Sequence, residues 1–199
     1  MTKRDETIRI LIAGFGGQGV LFLGKLIALA ASGSGKQVTW LPSYGPEMRG
    51  GTANCGIIVS GSPIGSPIVA EPDVLVAMNL PSYQAFEPKV APGGAIVLDS
   101  SLIPAAQTRA DVTYFSLPAA KMAADASLDG LANMILLGKL LGERLPFGKE
   151  EIEAALKKAL PEQKKHLLEA NQKALALGRA YREDEIERLR PNVPSKKIG

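Results

Sequence analysis

The chain has 199 residues, 46% hydrophobic and 22% charged, with a net charge of +3. That length suits one well-buried core and is short for two. Residues 1–148 carry 11 Lys+Arg against 11 Asp+Glu, and residues 149–199 carry 12 against 9, so the excess is C-terminal. There it alternates with acids, as on a solvated helix face, and no basic stripe with interleaved aromatics occurs; no nucleic-acid partner is expected. One cysteine, Cys55, precludes an internal disulfide or an iron–sulfur cluster held by this chain alone. One histidine, His166, makes a metal site improbable in composition terms. No apolar run nears the ~20 residues of a membrane span, and MTKRDET with its short apolar sequel is no signal peptide. A soluble, cytoplasmic protein without membrane association is expected.

In chain order, IRILIA (8–13) reads as a strand buried on both faces. Gln18 to Ala31 reads as a helix interrupted only by Gly24 and ended by GSGK (33–36). QVTWL (37–41) is a second strand with Trp40 in the core, and LPSYGPEMRGGT (41–52) is a loop. ANCGIIVS (53–60) is a strand in which Cys55 serves as a small buried hydrophobe. GSPIGSP (61–67) is a turn, and PIGSPIV an edge strand or hairpin return, where an antiparallel pair is expected.

DVLVAMN (73–79) and AIVLDS (95–100) are further strands, separated by a helix over 81–90 that starts at Pro81. Asp99, at a strand end beside Ser100 and Ser101, is expected to cap a turn. VTYFSLP (112–118) is a strand followed by a helix over 119–126. LANMILLGKLLGERL (131–145) has Leu131, Met134, Ile135, Gly138, Leu141 and Leu145 on one side of an amphipathic helix. KEEIEAALKKAL (149–160) begins acidic and ends basic, as the helix dipole favours, and Pro161 stops it. A helical pattern runs over 162–189, with Leu167, Asn171, Ala174, Gly178 and Tyr181 on one face, Asn171 hydrogen-bonded and His166 on the surface. The expected fold is a three-layer α/β/α domain, Rossmann-like, with a mixed, mostly parallel sheet and C-terminal helices. It spans 1–182, and 183–199 forms an extended or disordered tail.

Gly14, Gly16 and Gly19 in ILIAGFGGQGV have the spacing of a dinucleotide-binding turn, in which a helix N-terminus meets an anion. That reading also needs an acid about 20 residues on, at the end of the second strand. No Asp or Glu lies between Val20 and Pro46, and no basic residue at that strand end serves NADP instead. A tight turn using glycine for positive φ and close packing explains the spacing equally well. Arg49, in SYGPEMRGGTANC (43–55), offers a planar fork of donors for a carboxylate or phosphate, or pairs with Glu47 to pin the loop. In a doubly wound sheet this loop leaves on the same edge as the glycine turn.

IAGFGGQGV, SYGPEMRGGTANCGIIVS and PDVLVAMNLPSY together resemble the gamma subunit of the 2-oxoacid:ferredoxin oxidoreductases. The likeness continues through GGAIVLDSSLI (93–103), LANMILLGKLLG (131–142) and LLEANQKALALG (167–178), covering roughly residues 8 to 181. The SYGPEMRGG form is most like the 2-oxoglutarate-type chains. The resemblance implies a subunit of an enzyme that converts a 2-oxoacid, expected to be 2-oxoglutarate, to an acyl-CoA and reduces ferredoxin. It places thiamine diphosphate in alpha and beta partner subunits, and [4Fe–4S] clusters in beta or a small ferredoxin-like delta chain. For this chain it implies assembly, with no catalytic residue and no cofactor held by the chain alone. Gly14, Gly16, Gly17, Gln18, Gly19 and Arg49 are candidates for contact with CoA phosphates, and Glu47, Arg49, Gly50 and Gly51 for a subunit interface. A free-standing NAD(P)- or nucleotide-binding protein and the equivalent indolepyruvate subunit are the alternatives.

Overall fold

The run IRILIAGF becomes β1 (Ile8–Phe15), the strand that seats the glycine turn. The computed structural model describes residues 7–43, 52–104, 109–145 and 147–182; the expected tail, 183–199, lies outside the described residues. With β2 (Gln37–Ser43), β3 (Thr52–Ser60), β4 (Val74–Ala77), β5 (Ala95–Asp99) and β6 (Thr113–Leu117), β1 forms a sheet of order β2-β3-β1-β4-β5-β6. Strands β1, β4, β5 and β6 run parallel, while β3 is antiparallel to both β1 and β2.

The antiparallel member is therefore β3, and the segment 61–73 contains no strand, against expectation. Pro63 and Pro67 remove donors from that segment. The link between Ser43 and Thr52 is also shorter than the dozen or so residues a parallel crossover requires, so β3 returns beside β2 and inserts between β2 and β1.

Alternation along the strands divides the core. Ile10 and Ile12, Val74 and Val76, and Val97 face one layer; Leu11, Leu75, Ile96 and Leu98 face the other. The first layer is thick: α1 (Val20–Gly33), α3 (Ala119–Asp125), α4 (Ala132–Glu143), α5 (Lys149–Ala159) and α6 (Leu168–Ala180) contribute to it. The second is thin, with Tyr83 of α2 (Leu80–Phe86), Val90 and Ile103 covering β1, β4 and β5.

Three helices differ from their sequence patterns. The helix expected over 81–90 ends at Phe86 and tightens into a 3-10 turn, Glu87–Lys89, around Pro88. The pattern from 162 splits into a 3-10 stretch, Glu162–Leu167, and α6. Helix α4 is buried nearly all round, from Asn133 through Leu140, because α6 covers the side that an amphipathic helix would show to water. A Cβ on Gly138 would strike the carbonyl of Leu175, and one on Gly178 the carbonyl of Ile135; these two glycines let the helices cross backbone to backbone. Helix α5 matches expectation, with Glu150 and Glu151 in its first turn and Lys157 and Lys158 in its last.

Trp40 is not a core residue. On edge strand β2 the residue remains 39% exposed, with the indole resting beside Gly24 and Cys55.

Candidate functional site

The turn after β1 is shaped by its glycines in different ways. Gly17 and Gly19 have φ of 91° and 80°, which other residues rarely adopt, and Gly19 stands at the N-terminus of α1. Gly19 is further crowded by the Asn133 amide of α4. Gly14 is needed for space, since a Cβ there would lie 2.7 Å from Gln18 Oε1 and 2.9 Å from Met78 Cβ. At Gly16 an added Cβ meets nothing within 4 Å.

Gln18 is the centre of the turn. Its Oε1 accepts from the Phe15 amide at 2.6 Å and from Asn79 Nδ2 at 3.2 Å, and its Nε2 donates to the Met78 carbonyl at 3.0 Å. Asn79 meanwhile caps α2 by accepting from the Ser82 amide at 2.9 Å. Strand β1 leads to α1 on the thick layer and β4 leads to α2 on the thin one, so the sheet's topological switch point lies between β1 and β4. A crevice opens outside the carboxyl ends of such strands, and dinucleotides bind there in Rossmann folds. In this chain Gln18 spans that crevice. The place next to β1, where the acid-bearing second strand would stand, is occupied by antiparallel β3.

Beside Gln18 lies a cleft of about 250 Å³ whose walls include Gly17, Met78, Asp99, Asn133 and Leu136. Asp99 is 2% exposed. Its Oδ1 accepts from the Ser101 amide and its Oδ2 from the Ala120 amide, each at 2.9 Å, so it caps both the turn after β5 and the first turn of α3. Burial pushes its pKa above the ordinary carboxylate value against these hydrogen bonds. The first backbone bond of α1 runs from the Leu23 amide to the Gly19 carbonyl at 2.9 Å, so the amides of Val20, Leu21 and Phe22 stand ahead of the helix's own ladder.

The register pairs Phe15 with Thr52 and Ser43 with Asn54, which puts Ser43 and Thr52 on the glycine-turn edge. Glu47, Arg49, Gly50 and Gly51 themselves lie outside the described residues. Gly14, Gly16, Gly17, Gln18 and Gly19 are together at the turn as expected. Sequence reading missed Asn79 and Asn133. Asn79, two residues before Pro81, carried a capping signal, while nothing local marked Asn133 as the neighbour of Gly19.

Cys55, His166 and Asn171 lie outside the turn itself. Cys55 is fully buried with Sγ 3.5 Å from the Val20 carbonyl, and burial pushes its pKa up to about 12. His166 is exposed on the 3-10 stretch. Asn171 Nδ2 donates to the Leu167 carbonyl at 2.7 Å, whereas its buried Oδ1 has no partner, so the amide is half satisfied. A four-thiolate cluster does not fit a chain with one cysteine, and among the described residues no three His, Cys, Asp or Glu side chains gather as a metal site. No described helix is long and apolar enough to cross a membrane.

Fold and turn define an open α/β domain whose glycine-rich turn is bolted shut by its own glutamine. Residues 9–181 match the family model described as pyruvate ferredoxin/flavodoxin oxidoreductase. The chain belongs to that family, with the gamma-type subunits of the 2-oxoacid:ferredoxin oxidoreductases. It is 39% identical over 181 residues to the ketoisovalerate oxidoreductase subunit VorA of Methanothermobacter thermautotrophicus, covering 90% of this chain and 37% of the relative. This chain thus spans little more than a third of that relative's length. It is 32% identical over 175 residues to the 2-oxoglutarate synthase subunit KorC of Methanocaldococcus jannaschii, covering 84% of this chain and 94% of the relative. Among solved structures, the keto/oxoacid ferredoxin oxidoreductase gamma subunit of Geobacter sulfurreducens superposes with TM-score 0.73 at 28% identity, over 86% of this chain and 95% of that one.

Proposed function

We propose that this chain is the gamma subunit of a multi-subunit, cytoplasmic 2-oxoacid:ferredoxin oxidoreductase. In the reaction the 2-oxoacid loses CO2, its acyl carbon joins the CoA sulfur, and two electrons pass to ferredoxin. Thiamine diphosphate and the iron–sulfur clusters belong to alpha, beta or ferredoxin-like partner chains, and this chain contributes assembly and a surface toward CoA. The observation that carries the reading is the family match over residues 9–181. The expected substrate was 2-oxoglutarate, supported by the KorC likeness; the 39% identity to a ketoisovalerate subunit favours 2-oxoisovalerate as a second reading. Anaerobic co-purification of the tagged chain, with ferredoxin reduction assayed on 2-oxoglutarate, 2-oxoisovalerate and pyruvate, tests it. Recovery of the chain without thiamine- or cluster-bearing subunits would overturn it.

The glycine-turn edge is the surface that meets CoA phosphates or a partner subunit. Supporting this are the N-terminal amides of α1 that precede its first backbone bond, the open space over Gly16 and the position of Ser43 and Thr52 on the same edge. An Arg49→Ala complex distinguishes the two contacts: about a tenfold rise in KM for CoA with the subunits still together marks CoA, since losing a charge-assisted hydrogen bond has that order. Loss of co-purification marks the interface.

A further inference from the structure

Nothing in the proposed function uses the side chain of Gln18, yet it is the most heavily bonded side chain of the glycine turn. Three hydrogen bonds fix its carboxamide: Phe15 N–H and Asn79 Nδ2 donate to Oε1, and Nε2 donates to the Met78 carbonyl. Gly14 lacks a side chain where the amide lies, so the first glycine of the motif makes room for this chain's own glutamine and not for a ligand's phosphate. The partners stand on both sides of the switch point. Phe15 ends β1 and leads into α1, while Met78 and Asn79 lead from β4 into α2 on the opposite layer.

We infer that Gln18 is a positioning residue: its carboxamide holds the first turn of α1 at a fixed height over the sheet edge and couples that turn, through Asn79, to the cap of α2. A strand-to-helix turn with two positive-φ glycines has few internal restraints, because its residues lack side chains to pack. The only backbone hydrogen bond closing the turn among the described residues is Gln18 N–H to the Phe15 carbonyl, at 3.2 Å. The side chain supplies the remainder. Phe15 N–H is a particularly direct reporter, since Oε1 of Gln18 is its acceptor at 2.6 Å. Asn79 serves two partners at once, Gln18 through Nδ2 and the Ser82 amide through Oδ1, so reorientation of the turn reaches the first turn of α2.

The inference rests on the reading of this edge as a contact surface for its functional consequence, though not for the restraint itself. The test is amide hydrogen exchange on the full chain within its purified complex, comparing Gln18→Met, which keeps the bulk without the amide, with Gln18→Glu, which keeps the acceptor for Phe15 and Asn79. Gln18→Met is expected to speed exchange at Phe15 by about tenfold and to raise exchange at Ser82, on the other layer, in the same sample. Gln18→Glu is expected to restore most of the Phe15 protection. A Gln18→Met complex with wild-type exchange at both amides would overturn the inference, because bulk alone would then suffice. So would faster exchange at Phe15 with none at Ser82, which would remove the coupling. Steady-state kinetics and co-purification separate this from the reading of the edge: Gln18→Met should move whichever of the two Arg49→Ala moves, KM for CoA or retention of the partner subunits. Altered exchange in Gln18→Met with CoA kinetics and co-purification unmoved by Arg49→Ala would keep the restraint and sink the contact surface. A response to Arg49→Ala with unaltered exchange in Gln18→Met would do the reverse.

Discussion

At Gly19 and Gly16 the same amino acid answers to different physics, three residues apart. Gly19 has φ of 80° and the Asn133 amide against it. Gly19→Ala is expected to destabilise the chain by about 1–2 kcal/mol from the left-handed backbone alone, more if Asn133 must shift. Gly16 has neither constraint, and Gly16→Ala should leave the denaturation midpoint within about 0.5 kcal/mol of wild type. Paired urea titrations check both, and a large loss for Gly16→Ala would reveal a further restraint at that position. Cys55 offers a second residue-scale prediction. With its pKa raised from 9.0 to about 12, the folded chain holds the thiol proton where the unfolded chain releases it. Stability from this group is therefore intact below pH 9 and falls as pH rises from 9 toward 12, because the native state then binds more protons than the unfolded state. The native thiol should resist alkylation at pH 8 and react once guanidinium unfolds the chain. Its burial was legible, because small apolar neighbours surround it in ANCGIIVS. The exposure of Trp40 was not, since the edge position of β2 is set by strand order and not by the residues of QVTWL.

Among the elements, the crossing of α4 and α6 depends on two glycines set in backbone contact. Gly178→Ala and Gly138→Ala each force a Cβ into a carbonyl of the facing helix, a clash that only separation of the helices relieves. Each is expected to cost about 3 kcal/mol, lowering the melting temperature by roughly 6–12 °C in a chain of this size. A shift under a degree in calorimetry would mean that the crossing is looser than described. The sequence showed Gly178 on the inner face of a helix and Gly138 on the inner face of another. It did not show that they meet, and so α4 read as amphipathic where it is enclosed. The same limit explains β3. Its residues identify a strand, but its direction follows from the short link after β2 and from which neighbour it finds.

For the molecule as a whole, strand order decides what the glycine turn can serve. Antiparallel β3 beside β1 removes the second-strand site for a ribose-binding acid, and Gln18 bridges the switch-point crevice. NAD or NADP at millimolar concentration is therefore expected to leave the melting temperature of the purified chain unchanged in a thermal-shift titration. A dose-dependent rise would restore the dinucleotide reading, because any ligand that binds only the folded state stabilises it.

By itself the sequence determined the six strands of the sheet, though it also suggested one over 61–73 that does not form, the turn, the buried side chains of β1, β4 and β5, and, through GGQG with YGPEMRGG, the family. Those depend on local properties: apolar runs, glycine spacing and residue types read in order. Only the tertiary structure decided the sheet order, the enclosure of α4, the exposed position of Trp40 and the use of Gln18 as a bridge to Asn79. The reason is distance along the chain: Gln18 and Asn79 are separated by 61 residues, Gly19 and Asn133 by still more. Hydrogen bonding and close packing act between such residues only after the chain has brought them together, and no local pattern records the partner.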